Sequence, residues 1–337
     1  MDKKTKDLMP PGLSYMADNI ITKHNILGAA RGAGAKWAEG LNLPRQSETV
    51  FFAGCGYQFS SDLESLMSLI RKMDKSAIGS DIPMGLAGLQ KKIGVDFAGM
   101  YRKISARDKD KAGQPLKDAV NVLRGLGIDF GYMADDEPCC GGLLHYIGLQ
   151  NEFGQNARNT YEIFKNSGVK RIIGIVPSCT YTLRDLLPLY IDGFDLEVKH
   201  FLEVVLEGIG SRELRFPRQV KVTYHDPCQL SRYLGLIEEP RQILRSIKGI
   251  ELVEPEWTSG EWSTCCGGGG GFEAVFPELS EILSVNRTKE LLETGADIIV
   301  THCPGCIMQI KNGLKILKRD DVEVLDLAQV VAMAMGV

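Results

Sequence analysis

Five cysteines, Cys228, Cys265, Cys266, Cys303 and Cys306, follow one another as Cys-x36-Cys-Cys-x36-Cys-x2-Cys. A thiolate is a soft ligand, and five of them in one short unit point to a soft metal centre rather than to packing. An upstream set, Cys55, Cys139, Cys140 and Cys179, has the four thiolates that close a tetrahedral zinc site or give each iron of a cubane four-iron four-sulfur (4Fe-4S) cluster one ligand. The downstream set exceeds zinc's usual four and suggests a more open iron-sulfur cluster. Nine cysteines, an odd number, in a chain whose N-terminal stretch lacks an apolar core of signal-peptide length, argue against a secreted disulfide framework. They favour metal or redox work in a reducing compartment.

Other chemistries fit single motifs less well. Cys303-Pro-Gly-Cys306 follows a strand-like run and alone matches a thioredoxin-type dithiol, but Cys228 and Cys265-Cys266 at repeated spacing weigh against that. The glycines from Gly267 to Gly271 resemble a phosphate loop, yet no convincing strand precedes them and no Gly-Lys-Ser/Thr follows. Adjacent cysteines also occur as buried structural thiols, a reading opposed by the repetition of Cys-Cys-Gly-Gly. His225 lies three residues before Cys228 and His302 one residue before Cys303, so each can donate to a sulfur or hold a substrate acid group. The plainer reading of both, and of His145, is a ring that packs or satisfies a loop. His24 and His200 read as structural, and Trp37 with Leu41, one helical turn on, reads as a partner anchor or an internal core contact.

The elements that must position these residues come twice. Cys139-Cys140-Gly141-Gly142 returns as Cys265-Cys266-Gly267-Gly268. After the first copy come a helical stretch through Ala157, Tyr161 and Phe164, a stop at Gly168, and a strand-like Arg171 to Ile175 that leads to Cys179. The second copy is followed by a helical stretch through Arg287 and Leu291, a stop at Gly295, and a strand-like Asp297 to Val300 that leads to Cys303 and Cys306. Each half closes on a short strand and an amphipathic helix, Leu196 to Val205 and Val322 to Val331. This alternation predicts an α/β fold of two pseudo-repeated halves, each a small parallel sheet flanked by helices, with the cysteine sites at the strand carboxyl ends. The expected divisions are an N-terminal arm over 1–47, a first cysteine domain over 48–215 and a second over 216–337. Val176 takes the place of Cys303 in the first half, so the two centres are expected to differ. The first half also carries an insertion around 76–114, expected to cover the first site, meet a partner or simply elaborate the surface.

The 337 residues carry 39 basic and 43 acidic side chains for a net charge of -4, without a dense Lys/Arg run to track a phosphate backbone, so nucleic acid is not an expected partner. Apolar residues make up 44%, enough for ordinary cores, and no segment has the roughly 18 to 20 apolar residues of a membrane span. A cytoplasmic location is expected, with attachment to a membrane only through a partner.

On its repeated Cys-Cys-Gly-Gly motifs and the five-cysteine pattern of the second half, the chain resembles the CCG (cysteine-rich) domain family. That family includes the B-type subunit of heterodisulfide reductase, the corresponding C-terminal part of its D-type subunit, and iron-sulfur subunits of glycolate, lactate and glycerol-3-phosphate oxidising systems. Asn19, Asn25, Gly28, Arg31 and Trp37-Ala-Glu-Gly-Leu41 resemble the stretch that precedes the first repeat in proteins of the D type. The resemblance implies that Cys228, Cys265, Cys266, Cys303 and Cys306 bind a non-cubane 4Fe-4S cluster and carry the chemistry through it. For Cys55, Cys139, Cys140 and Cys179 it implies a 4Fe-4S cluster of less certain type, with zinc as the alternative, because Val176 departs from the pattern. Gly141, Gly142 and Gly267 to Gly271 are expected to let backbone amides approach sulfur. The chain lacks a Cys-x2-Cys-x2-Cys-x3-Cys run, so a separate ferredoxin-like iron-sulfur subunit is implied, and beyond it a flavoprotein. The implied activity is electron transfer to or from a thiol/disulfide small molecule. Cleaving a disulfide takes two electrons and a cluster ordinarily passes one, a mismatch that two neighbouring clusters resolve. The alternatives are an electron-carrier subunit of a flavin-linked dehydrogenase, without substrate contact, and a zinc-stabilised interaction module.

Overall fold

The computed structural model describes residues 8–74, 113–210 and 212–337; most of the expected insertion falls outside them. An N-terminal helix, α1 (Pro11–Lys23), leads through a short 3-10 turn to β1 (Thr49–Phe52), α2 (Gly54–Gln58) and α3 (Ser60–Asp74). The first half continues with α4 (Gln114–Gly125), α5 (Gln150–Asn166), β2 (Arg171–Gly174), α6 (Pro177–Tyr181), β3 (Glu197–His200) and α7 (Phe201–Ile209). The second half contains β4 (Leu214–Tyr224), α8 (Glu238–Ser246), β5 (Ile247–Leu252), α9 (Pro277–Leu292), β6 (Ile298–Thr301), α10 (Pro304–Leu317), β7 (Glu323–Asp326) and α11 (Leu327–Met335).

The strands form two parallel sheets, one ordered β1-β2-β3 and one ordered β5-β4-β6-β7. Val50 lies opposite Ile172, and Ile172 opposite Val198; in the other sheet Val222 lies opposite Ile298. All four residues of β1 and all four of β6 are buried, as expected of parallel strands covered on both faces. The chain is thus an α/β protein of two small parallel sheets flanked by helices. β5 and α8 are absent from the sequence reading. β5 is an edge strand whose apolar run is broken by Lys248 and Gly249, so its pattern is weak while the partner β4 supplies its order.

The internal repeat is visible in the caps. His200 begins α7 and Asp326 begins α11; each side chain accepts from a backbone N–H of the first turn, Leu202 or Ala328. Glu203 and Gln329 accept in return from the cap's own N–H, completing two matched capping boxes. Gly168 and Gly295, which follow α5 and α9, both hold positive φ, +74° and +69°, the left-handed stop that glycine adopts without strain.

One apolar core runs through both halves, joining Phe51 and Leu123 to Val222 and Val331. The C-terminal α11 packs on α4 of the first half as well as on β4 of its own. Trp37 is part of this core and its Nε1 donates to Tyr132 Oη at 3.2 Å, whereas Trp257 and Trp262 are exposed. Trp37 is therefore a core contact and not a docking anchor. No helix among the described residues is long and apolar enough to cross a membrane.

Candidate metal centre

Each cysteine-bearing loop follows a strand or prepares the next. Cys55 sits in α2 just beyond β1, and Cys179 in α6 just beyond β2. Gly54 makes the first turn at φ +63°; a Cβ there would lie 3.1 Å from Cys179 Sγ, so only glycine lets this loop close on the sulfur. Cys139 and Cys140 arrive on the loop before the short helix Gly142–Tyr146. The Sγ atoms of Cys55 and Cys139 are 4.0 Å apart, and those of Cys140 and Cys179 3.3 Å. Cys139, Cys140 and Cys179 are buried, and all nine cysteines are free thiols.

Crowded thiols cannot all ionise together without a cation. Hydrogen bonds from Cys139 and Cys179 hold Cys140 well below the usual thiol range, with the Gly142 amide adding to the effect. The same contacts push Cys139 and Cys179 well above it. A bound cation relieves that competition, because every ligand can then be a thiolate.

The second set repeats the arrangement. Cys228 follows β4 and starts a π-helical turn, Gln229–Tyr233. Cys303 is the N-cap of α10 and Cys306 lies in its first turn, so Pro304 begins the helix where a missing N–H does no harm. Val176 is likewise the N-cap of α6, ahead of Pro177. Cys266 and Cys306 have Sγ atoms 3.2 Å apart. Cys265 and Cys306 hydrogen-bond to Cys266 and hold it well below the thiol range, whereas burial, with the charge of Cys303 next, pushes Cys228 up to about 11. Cys265 is exposed, and its sulfur accepts from the Gly267 amide at 3.3 Å. Gly142 and Gly267 thus supply amide contacts to sulfur, while the Gly269 amide goes to Glu273 instead.

Several polar residues around the loops were not singled out by sequence reasoning. Glu137 is half-buried beside the first set and accepts from the Ala53 and Gly54 amides at 2.8 and 2.9 Å and from Gln58 at 2.7 Å, bracing the Cys55 turn. Burial pushes its carboxyl up to about 8. Asp226, two residues before Cys228, forms a bidentate pair with buried Arg241 at 2.7 and 2.9 Å. Arg241 also reaches Glu254 at 2.6 Å. Arg287 is fully buried; its Nε donates to His225 Nδ1 at 3.0 Å and its Nη1 meets Glu290 at 2.8 Å. His225, Cys266 and Cys306 each offer a ligand atom within 4.8 Å of the others. His302 Nδ1 lies 2.8 Å from Asp326 Oδ1, and Tyr57 of the first half donates to the other oxygen of Asp326. Charged groups far apart in sequence leave no local signal. Glu137 and Asp226 are the exceptions, since an acidic residue two places before Cys139 or Cys228 stands out by position.

His225 and His302 therefore lie at the sites, while His200 caps a helix, as a structural histidine should, and rests against the His302 ring. His145 packs on Phe153. Leu41 packs against the core.

The two sets face one cavity of about 490 Å³. Cys55, Cys139, Cys140 and Cys179 line it from one half and Cys228, Cys303 and Cys306 from the other. Met16, Met67 and Met308 form much of its apolar wall. Cys265 and Cys266 are not part of this lining. The donor sets fit soft-metal cofactors: free, crowded thiols, largely buried, with backbone amides directed at sulfur.

Two parallel α/β lobes that present paired cysteines from their strand-end loops define a class of cysteine-rich protein. A family model described as "Cysteine-rich domain" matches residues 105–184 and 222–311, and the chain belongs to this CCG family. It is homologous to iron-sulfur proteins like the D subunit of heterodisulfide reductase. It is 33% identical over 221 residues to the D subunit of dihydromethanophenazine:CoB–CoM heterodisulfide reductase from Methanosarcina barkeri, an alignment covering 64% of this chain and 54% of the relative. It is 33% identical to the EtfAB:quinone oxidoreductase of Syntrophomonas wolfei over 71% of this chain and 34% of that one. The B subunit of fumarate reductase (CoM/CoB) from Methanothermobacter marburgensis is 32% identical over 64% of this chain and 42% of its own length. The chain spans about half the length of these curated relatives, or less.

Proposed function

We propose that this chain is the iron-sulfur, substrate-facing part of a heterodisulfide reductase-like oxidoreductase, passing electrons to or from a thiol/disulfide small molecule. The observation that carries this reading is the single cavity lined by both cysteine sets. Cys228, Cys265, Cys266, Cys303 and Cys306 would hold a non-cubane 4Fe-4S cluster, and Cys55, Cys139, Cys140 and Cys179 a second 4Fe-4S cluster. Such clusters, when bound, supply one-electron transfer and an iron to which a substrate sulfur can bind. The protein's own contribution is to bring the two sets to one wall, brace the loops through Glu137 and the Asp226–Arg241 pair, and keep bulk water from the buried sulfurs. Among the described residues Glu273 is the one charged side chain lining the cavity, so its wall suits a largely apolar thiol or disulfide. A ferredoxin-like subunit and a flavoprotein are the proposed electron partners, and the cytoplasm the proposed compartment.

Anaerobic purification with iron, sulfide and zinc analysis tests the cofactor. A colourless protein with zinc and no sulfide overturns the reading in favour of a zinc-stabilised module. Electron paramagnetic resonance with added thiols or disulfides tests substrate contact, where a perturbed signal is expected. Val176, buried where the second half has Cys303, favours a second reading in which the chain only carries electrons for a flavin-linked dehydrogenase. An unchanged signal supports that reading.

A further inference from the structure

At one pair of positions near the ligands the two halves carry different chemistry. His225 stands three residues before Cys228, and Arg287 nineteen before Cys306. At the same offsets from Cys55 and Cys179 the first half has Phe52 and Thr160. Phe52 packs against Phe164 with tilted rings 6.1 Å apart, and Thr160 Oγ1 donates to the Cys139 carbonyl at 2.9 Å. Neither offers the first set a side-chain donor of the His225 kind.

A guanidinium has only donors, so the 3.0 Å contact from Arg287 Nε requires His225 Nδ1 to be the accepting nitrogen. The neutral ring then carries its proton on Nε2. That atom is buried without a hydrogen-bond partner among the described residues, and so is Arg287 Nη2. Groups within reach of the ring are the sulfurs of Cys266 and Cys306, which share a 4.8 Å cluster with one of its nitrogens. A protonated Nε2 has no lone pair for a metal, but it can donate to sulfur.

We propose that His225, held in this tautomer by Arg287, is a hydrogen-bond donor to the second cysteine set and not a metal ligand, and that this donor raises the reduction potential of the second centre. The inference rests on the proposed function, since it needs both centres to be redox-active. The physical argument concerns charge. Reduction adds a negative charge to a centre, an N–H donor stabilises the more negative state more strongly, and the reduction potential rises. The buried guanidinium behind the ring acts in the same direction, although Glu290 offsets part of its charge. The first centre has Phe52 in that place, which offers no N–H. Arg287 is a positioning residue, because it acts through the imidazole.

The test begins on iron-free wild-type protein, where nitrogen-15 NMR of the histidines reads the tautomer. An Nε2–H tautomer for His225 is expected, and an Nδ1–H tautomer overturns the proposal. Redox titrations of the anaerobic, iron-loaded protein follow, monitored by paramagnetic resonance. His225→Phe is expected to keep its iron and sulfide and to shift the one-electron equilibrium of the second centre about tenfold towards the oxidised form, about 59 mV, with the first centre unmoved. His225→Gln, which retains an N–H donor, should recover most of the shift. Arg287→Met should lower the same potential without loss of iron. Loss of iron in His225→Phe means the imidazole was a ligand, and retained iron at an unchanged potential means it was no donor; either result ends the proposal. A wild-type protein that binds no iron fails earlier, at the proposed function.

Discussion

One ligand position, Val176 against Cys303, differs between the two thiol sets. Val176 and Cys303 are both N-caps, both followed by proline, and both line the shared cavity. Val176 is 4% exposed and packs beside Gly54, directly against the first set. Val176→Cys nearly conserves volume and should cost under about 1.5 kcal/mol. The expected outcome is an altered resonance spectrum of the first centre in the anaerobic protein; an unaltered spectrum would show that position 176 does not reach the metal. Legibility at this scale was uneven. The nine cysteines announced themselves by type and spacing. Arg287 and Asp326 did not, because they act on partners 62 and 24 residues away, His225 and His302, and their neighbourhoods read as ordinary helix and strand end.

At the level of elements, the alternation of short apolar runs with helical periodicity made the β/α order readable. The repeat then aligned strand ends with cysteines. β5 was not readable, since an edge strand that leaves Lys248 and Gly249 towards solvent depends on β4 for its order. The helix α4 offers a measurable case of sequence and packing in conflict. It buries Leu116, Ala119, Val120 and Leu123, and Asp118 goes in with them. Burial raises the Asp118 carboxyl above its ordinary 3.8, although a 2.7 Å hydrogen bond from Gln114 works against this. Its folded-state value exceeds the unfolded one, so the protonated form is favoured by folding. The resulting stability is full below the unfolded value and is lost as pH rises through the folded value. Asp118→Asn should therefore raise Tm at neutral pH, and the gain should vanish towards about pH 4. Equal melting of variant and wild type at about pH 7 would remove the burial argument.

Across the whole molecule, one link that ties a site loop of the first half to one of the second is Tyr57–Asp326–His302. Tyr57 comes two residues after Cys55, and His302 one residue before Cys303. Both hold the carboxylate that caps α11. Burial, followed by the charge of Asp326, pushes the Tyr57 hydroxyl well above the usual phenol range, so it stays a donor. Tyr57→Phe leaves a fully buried carboxylate oxygen without that donor and should cost about 1 to 3 kcal/mol in urea unfolding. A variant as stable as the parent would mean that the hydroxyl contributes nothing to joining the halves.

The seat of α11 on α4 has a consequence for how the chain is made. A nascent first half leaving the ribosome has the surface of α4 but not its cover, since Leu327–Met335 is synthesised more than two hundred residues later. Pro227, Gly268 to Gly271 and Met308, which line the cavity beside its four thiols, are also synthesised later, and air can reach the sulfurs during that interval. Production under oxygen, followed by reconstitution, should give a heterogeneous protein where anaerobic expression gives a uniform one.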